Sequence, residues 1–136
     1  MGGNVLVDAG FLVALLSRGD GNHRWAAAQS SRLHPPWSTC DAVLSEAFHL
    51  VGTRGTAGLA ALLRRRVVVP AFELGKELER VLKLMEKYAD VPMSLADACL
   101  VRMTEALPDP VLITTDSDFR IYRRHSRQTV PCLLPD

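Results

Sequence analysis

Three apolar runs constrain this chain more than any other feature: NVLV at 4–7, VVV at 67–69 and VLIT at 111–114. Each is a continuous block rather than an alternation of apolar and polar residues, and each is too short for a helix. A strand that is apolar on both sides needs cover on both faces, which is the situation of a central strand in a parallel sheet. The segments between the runs have helical spacing. An α/β fold follows, in three layers, with a short, mostly parallel central sheet flanked by helices.

The order of elements can be read along the chain. A helix over 9–16 follows the first run, RGDG at 18–21 makes a turn, and Asn22 caps a helix through WAAAQ that ends near Pro35-Pro36. Apolar residues at 43, 44, 47, 48, 50 and 51 predict a helix over 41–51, stopped by Gly52, with another over 55–65. A long amphipathic helix is predicted over 72–88, with Leu74, Leu78, Val81, Leu82 and Met85 on one face. A further helix spans 94–107 between Pro92 and Pro108. A short helix over 117–124 and a last strand over 129–133 complete the expectation. With 136 residues and no linker or repeat, the chain is expected to form one domain over 1–136.

Charge and cysteines narrow the function classes. Sixteen basic against fifteen acidic residues give a net charge of +1, so no global attraction to nucleic acid or an anionic membrane is implied. Basic residues do cluster, at Arg64–Arg66 and in RIYRRHSR at 120–127. The latter could hold phosphates through Arg120, Arg123 and Arg124, although a solvated face is the commoner meaning of such a run. Cys40, Cys99 and Cys132 form no CxxC pair, which argues against a disulfide framework or a zinc knuckle. The apolar stretch 5–16 is too short to span a bilayer. The expectation is a cytoplasmic protein without membrane attachment.

Four carboxylates stand where carboxylates are costly. Asp8 ends the first run in NVLVDAGFLVALL, and Asp116 follows the third in VLITTDSDF. Glu46 lies inside AVLSEAFHLV and Asp97 inside SLADACLV. In sheets of this kind, ligands sit beyond the carboxyl ends of the strands, where strand order reverses. Each window is nearly free of Lys and Arg, and an uncompensated ionised carboxylate out of water costs several kcal/mol. Mg²⁺ or Mn²⁺, which prefers carboxylate oxygens and water, would remove that cost. Local explanations compete at three of the positions. Asp8 can cap the following helix, Ser94–Asp97 matches a capping box, and Thr115–Asp118 matches the same box, which favours a structural part for Asp118. Glu46, mid-helix among uncharged neighbours, has no such explanation.

These four motifs, in this order and at these separations, resemble the PIN-domain proteins. The closer likeness is to the small ribonucleases that are the toxins of type II toxin–antitoxin pairs, the VapC type. The likeness runs over nearly the whole chain. It implies a PIN-like α/β/α fold, a homodimer, a cognate antitoxin partner and metal-dependent endoribonuclease activity on RNA, leaving 5′-phosphate and 3′-hydroxyl ends. Carried over residue by residue, Asp8, Glu46, Asp97 and Asp116 would be the catalytic, metal-binding acids. Thr114 would orient the last acid, and Asp118 would be auxiliary. Gly10 departs from the pattern, since many relatives carry Ser, Thr or Asn two residues after the first acid. A solitary PIN ribonuclease of RNA processing and a non-catalytic PIN-fold interaction module are the alternative readings. A phosphotransfer domain with Asp8 as nucleophile fits poorly, because Gly10 stands where a second acid would be wanted and no Lys precedes Lys76.

Overall fold

The first strand, β1 (Val5–Val7), and its two neighbours form the centre of the molecule. In the computed structural model, which describes residues 4–136, Leu6 pairs in parallel with Ser38 of β2 (Trp37–Thr39) on one side and with Leu112 of β4 (Val111–Ile113) on the other. β3 (Val68–Pro70) extends the sheet beyond β2 and β7 (Cys132–Leu133) beyond β4, giving the parallel order β3-β2-β1-β4-β7. Leu6, Val7, Leu112 and Ile113 have no exposed surface, as continuous apolar strands under two helical layers require. Pro70 is tolerated because β3 is an edge strand that needs no further amide donor on its outer side.

The helices are α1 (Ala9–Leu16), α2 (His23–Ser30), α3 (Asp41–Arg64), α4 (Leu74–Lys87) and α5 (Leu95–Ala106). Gly52 interrupts α3 with φ 66° and ψ −171°, so the two helical segments expected on either side of it are joined by a kink. Arg102 of α5 bonds Glu77 of α4 at 3.1 Å and Glu105 at 3.4 Å, which pins the two helices together. No helix among the described residues is long and apolar enough to cross a membrane.

One element was not anticipated and one expectation is corrected. Strand β2 has no apolar run to announce it, since WST is mostly polar. It is nonetheless wholly buried, with the Thr39 hydroxyl donating to the Val7 carbonyl at 2.8 Å. The segment 117–124 is not a helix. A 3₁₀ turn over Ser117–Arg120 leads into a two-stranded antiparallel ribbon, β5 (Arg123–Arg124) with β6 (Gln128–Thr129). Positive φ at His125 (49°) and Ser126 (69°) reverses the chain between them. The two tryptophans are packing residues: Trp25 and Trp37 both meet Phe11 edge-on, at 6.1 and 5.7 Å.

Candidate active site

Strand order reverses between β1 and β4, because the chain runs outward from β1 through β2 to β3 and then returns to β1's other side. Asp8 leaves the carboxyl end of β1 and Thr114 that of β4, side by side, since Val7 pairs with Ile113. The Thr114 hydroxyl, 106 residues away in sequence, donates to Asp8 Oδ2, and its oxygen accepts from the Asp116 N–H at 3.0 Å. Asp8 Oδ1 caps α1 by accepting from the Phe11 N–H at 3.1 Å. Thr114 thus links the Asp8 carboxylate to the backbone of Asp116 at the crossover.

The other two acids come from helices. Ser94 caps α5, accepting from the Asp97 N–H at 3.0 Å, and this fixes Asp97 in the first turn. Its Oδ2 accepts from the buried Tyr122 hydroxyl at 2.9 Å. Glu46 stands exposed on the segment of α3 that precedes the Gly52 kink. All four acids line one cavity of about 210 Å³, together with Gly10 and Thr115, and no Lys, Arg or His among the described residues lines it. At ~30 Å³ each, roughly seven waters would fill that space. A larger cavity of about 690 Å³, beside α4 and the end of α5, has a more mixed lining that includes Phe72, Met103 and Lys76. Volume is therefore a poor guide to the chemistry here.

Three of the carboxylates are raised. Burial first, with smaller contributions from Asp116 and Asp97, pushes Asp8 up to about 6 against the lowering effect of Thr114 and Phe11. Asp97 is raised by burial and by Asp116, opposed by the Tyr122 hydroxyl. Glu46 is raised by burial and then by Asp97 and Asp116. Among the described residues, no three acidic, His or Cys side chains form a closed ligand group. The acids stand on the walls of a cavity with room for several waters, an arrangement suited to an ion that keeps much of its hydration. The donor set is all oxygen and all anionic, with no protein cation to neutralise it. A hard dication fits.

The remaining candidates are placed differently. Asp118 does not line the cavity; its N–H donates to Asp116 Oδ1 at 2.9 Å and so shapes the turn. Phe119, fully buried against Tyr122, anchors that turn. Arg123 bonds the carbonyls of Arg120, Ile121 and Tyr122. Arg124 bonds the carbonyls of Thr104 and Leu107, closing the end of α5. Arg120 alone of the three is exposed. Nothing in the sequence marks Tyr122 or Thr115 as part of the site. Tyr122 lies 25 residues from the acid it touches, and Thr115 reads as the first residue of a capping box, although it is Asp116 that caps the turn.

The model of the PIN domain family matches residues 5–124. The chain belongs to the PIN domain family. Among solved structures, this PIN domain is similar to the crystal structure of VapC20 of Mycobacterium tuberculosis, described as a sarcin–ricin loop cleaving toxin. The TM-score is 0.75 at 22% identity, over 84% of this chain and 91% of that one. No curated protein matches the sequence.

Proposed function

We propose that this PIN domain is an Mg²⁺- or Mn²⁺-dependent endoribonuclease, the toxin of a type II toxin–antitoxin pair. The observation that carries this reading is the meeting of Asp8, Glu46, Asp97 and Asp116 around one cavity without a basic residue. These four acids would hold the ion. When bound, the ion lowers the pKa of water and stabilises charge on a phosphodiester. Thr114 keeps Asp8 and Asp116 aligned across the crossover, and Tyr122 holds one oxygen of Asp97 at the cavity wall. Asp118 assists through the turn alone. Arg120 supplies the phosphate contact, while Arg123 and Arg124 support the ribbon beside it. Water adds to phosphorus, the bond to the 3′ oxygen breaks, and the departing oxygen takes a proton. The ends left are a 5′-phosphate and a 3′-hydroxyl.

The family resemblance further supports a homodimer, blocked by a cognate antitoxin protein and working in the cytoplasm. Because the structural relative is described as cleaving the sarcin–ricin loop, an oligonucleotide of that loop is the first RNA to test. Mn²⁺-dependent cleavage by the wild type is expected to fall at least ~100-fold in Asp97→Asn. Equal rates, or cleavage indifferent to chelator, would refute the mechanism. Mn²⁺ should also raise the melting temperature by mass action; a non-catalytic scaffold without a metal site would not respond.

A further inference from the structure

Of the described residues lining the acid cavity, Thr115 is the one neutral polar side chain. Its neighbour Thr114 is buried and engaged on both sides, with Asp8 and with the Asp116 N–H. The Thr115 hydroxyl has no comparable partner among the described residues. Its place is defined by what is missing at Gly10. A Cβ built on Gly10 would lie 2.1 Å from Thr115 Oγ1, 3.4 Å from Thr115 Cβ and 3.5 Å from Asp8 Oδ1. The hydroxyl therefore lies over the bare backbone of residue 10, on the side where Asp8 presents its carboxylate. Any other residue at 10 would force it away.

We propose that Thr115 is a positioning residue of the active site. Its hydroxyl takes the space beside Asp8 that a side chain at residue 10 would fill, and from there hydrogen-bonds the hydration shell of the ion held by the four acids. This rests on the nuclease reading above. The chemistry suits the location. Waters on a dication are strong donors, and a hydroxyl can accept from them or donate to a carboxylate without adding charge to a crowded anionic site. Outer partners of this kind typically change metal affinity or activity 10–100-fold when removed. Gly10 and Thr115 thus form a complementary pair, with one hydroxyl for two positions.

The test is Mn²⁺ affinity by titration calorimetry, with cleavage of the sarcin–ricin oligonucleotide alongside and metal-free melting temperatures as a check on folding. Thr115→Ser, which keeps the hydroxyl, should bind Mn²⁺ within about twofold of the wild type. Thr115→Val, which keeps the shape, should bind roughly 10-fold more weakly. Gly10→Ala should weaken binding, because its Cβ, 2.1 Å from Thr115 Oγ1, displaces that hydroxyl and supplies none in its place. Gly10→Ser combined with Thr115→Ala should bind more tightly than Thr115→Ala alone, since the hydroxyl is returned from the other side. Wild-type affinity in Thr115→Val, or no recovery in the double variant, would overturn the proposal. A wild type that fails to bind Mn²⁺ at all would instead overturn the nuclease reading, and this inference with it.

Discussion

Asp8 does three things with one carboxylate: it caps α1, accepts from Thr114 and faces the cavity. Local and catalytic explanations of such a residue are not exclusive, because a carboxylate has enough lone pairs for both. Burial raises Asp8 from an ordinary 3.8 to about 6. Between those values the folded state holds a proton that the unfolded state has released, so stability rises as pH falls through 6. In the absence of metal, the wild type should gain stability relative to Asp8→Asn between pH 7.5 and pH 5, by about 1–1.5 kcal/mol. Urea unfolding at the two pH values checks this; parallel changes in the two proteins would refute it. The acids themselves were legible in the sequence because they sit in apolar windows without basic neighbours. Tyr122 was not, because the hydrogen bond to Asp97 joins two segments whose local patterns say nothing of each other.

At the scale of elements, Gly52 shows how a breaker can be read correctly while its consequence is missed. Its φ of 66° and ψ of −171° belong to a region that only glycine occupies readily. A Cβ there would meet nothing within 4 Å, so Gly52→Ala acts through backbone strain alone. It should lower stability by about 1–3 kcal/mol, measured by urea unfolding. An unchanged midpoint would mean that the kink is not required by the fold. The basic run divides in the same way. In an Asp97→Asn background that does not cut RNA, Arg120→Ala should reduce the salt slope of RNA binding by roughly one, read by anisotropy across a NaCl series. Arg124→Ala should leave the slope alone and cost about 1.5–3 kcal/mol of stability, because its guanidinium closes the end of α5. The reverse pattern would exchange their roles. The helices were legible from period; β2 was not, because its burial is set by the strands on either side of it and WST carries no apolar run. The ribbon at 123–129 was hidden by arginines that suit a helix equally well.

At the scale of the whole molecule, the topology was legible in outline. Alternating helices and doubly apolar strands leave few ways to build a sheet, and a right-handed crossover from β1 puts β2 on one side and leaves the other for β4. Which strand would stand between β1 and β3 was not readable, and the closeness of the four acids was implied by the family resemblance alone, since neither is a property of any single segment. The site exists only in the folded chain. β1 and β4 are three residues each, held by the pairs Val5–Val111, Leu6–Leu112 and Val7–Ile113. A slip of one residue would turn every side chain of β4 to the opposite face and carry Thr114 away from Asp8. Strands this short have no slack in which to absorb such an error. The alignment of the site is therefore set by six greasy side chains that stand outside the cavity, and the charged residues inherit it from them.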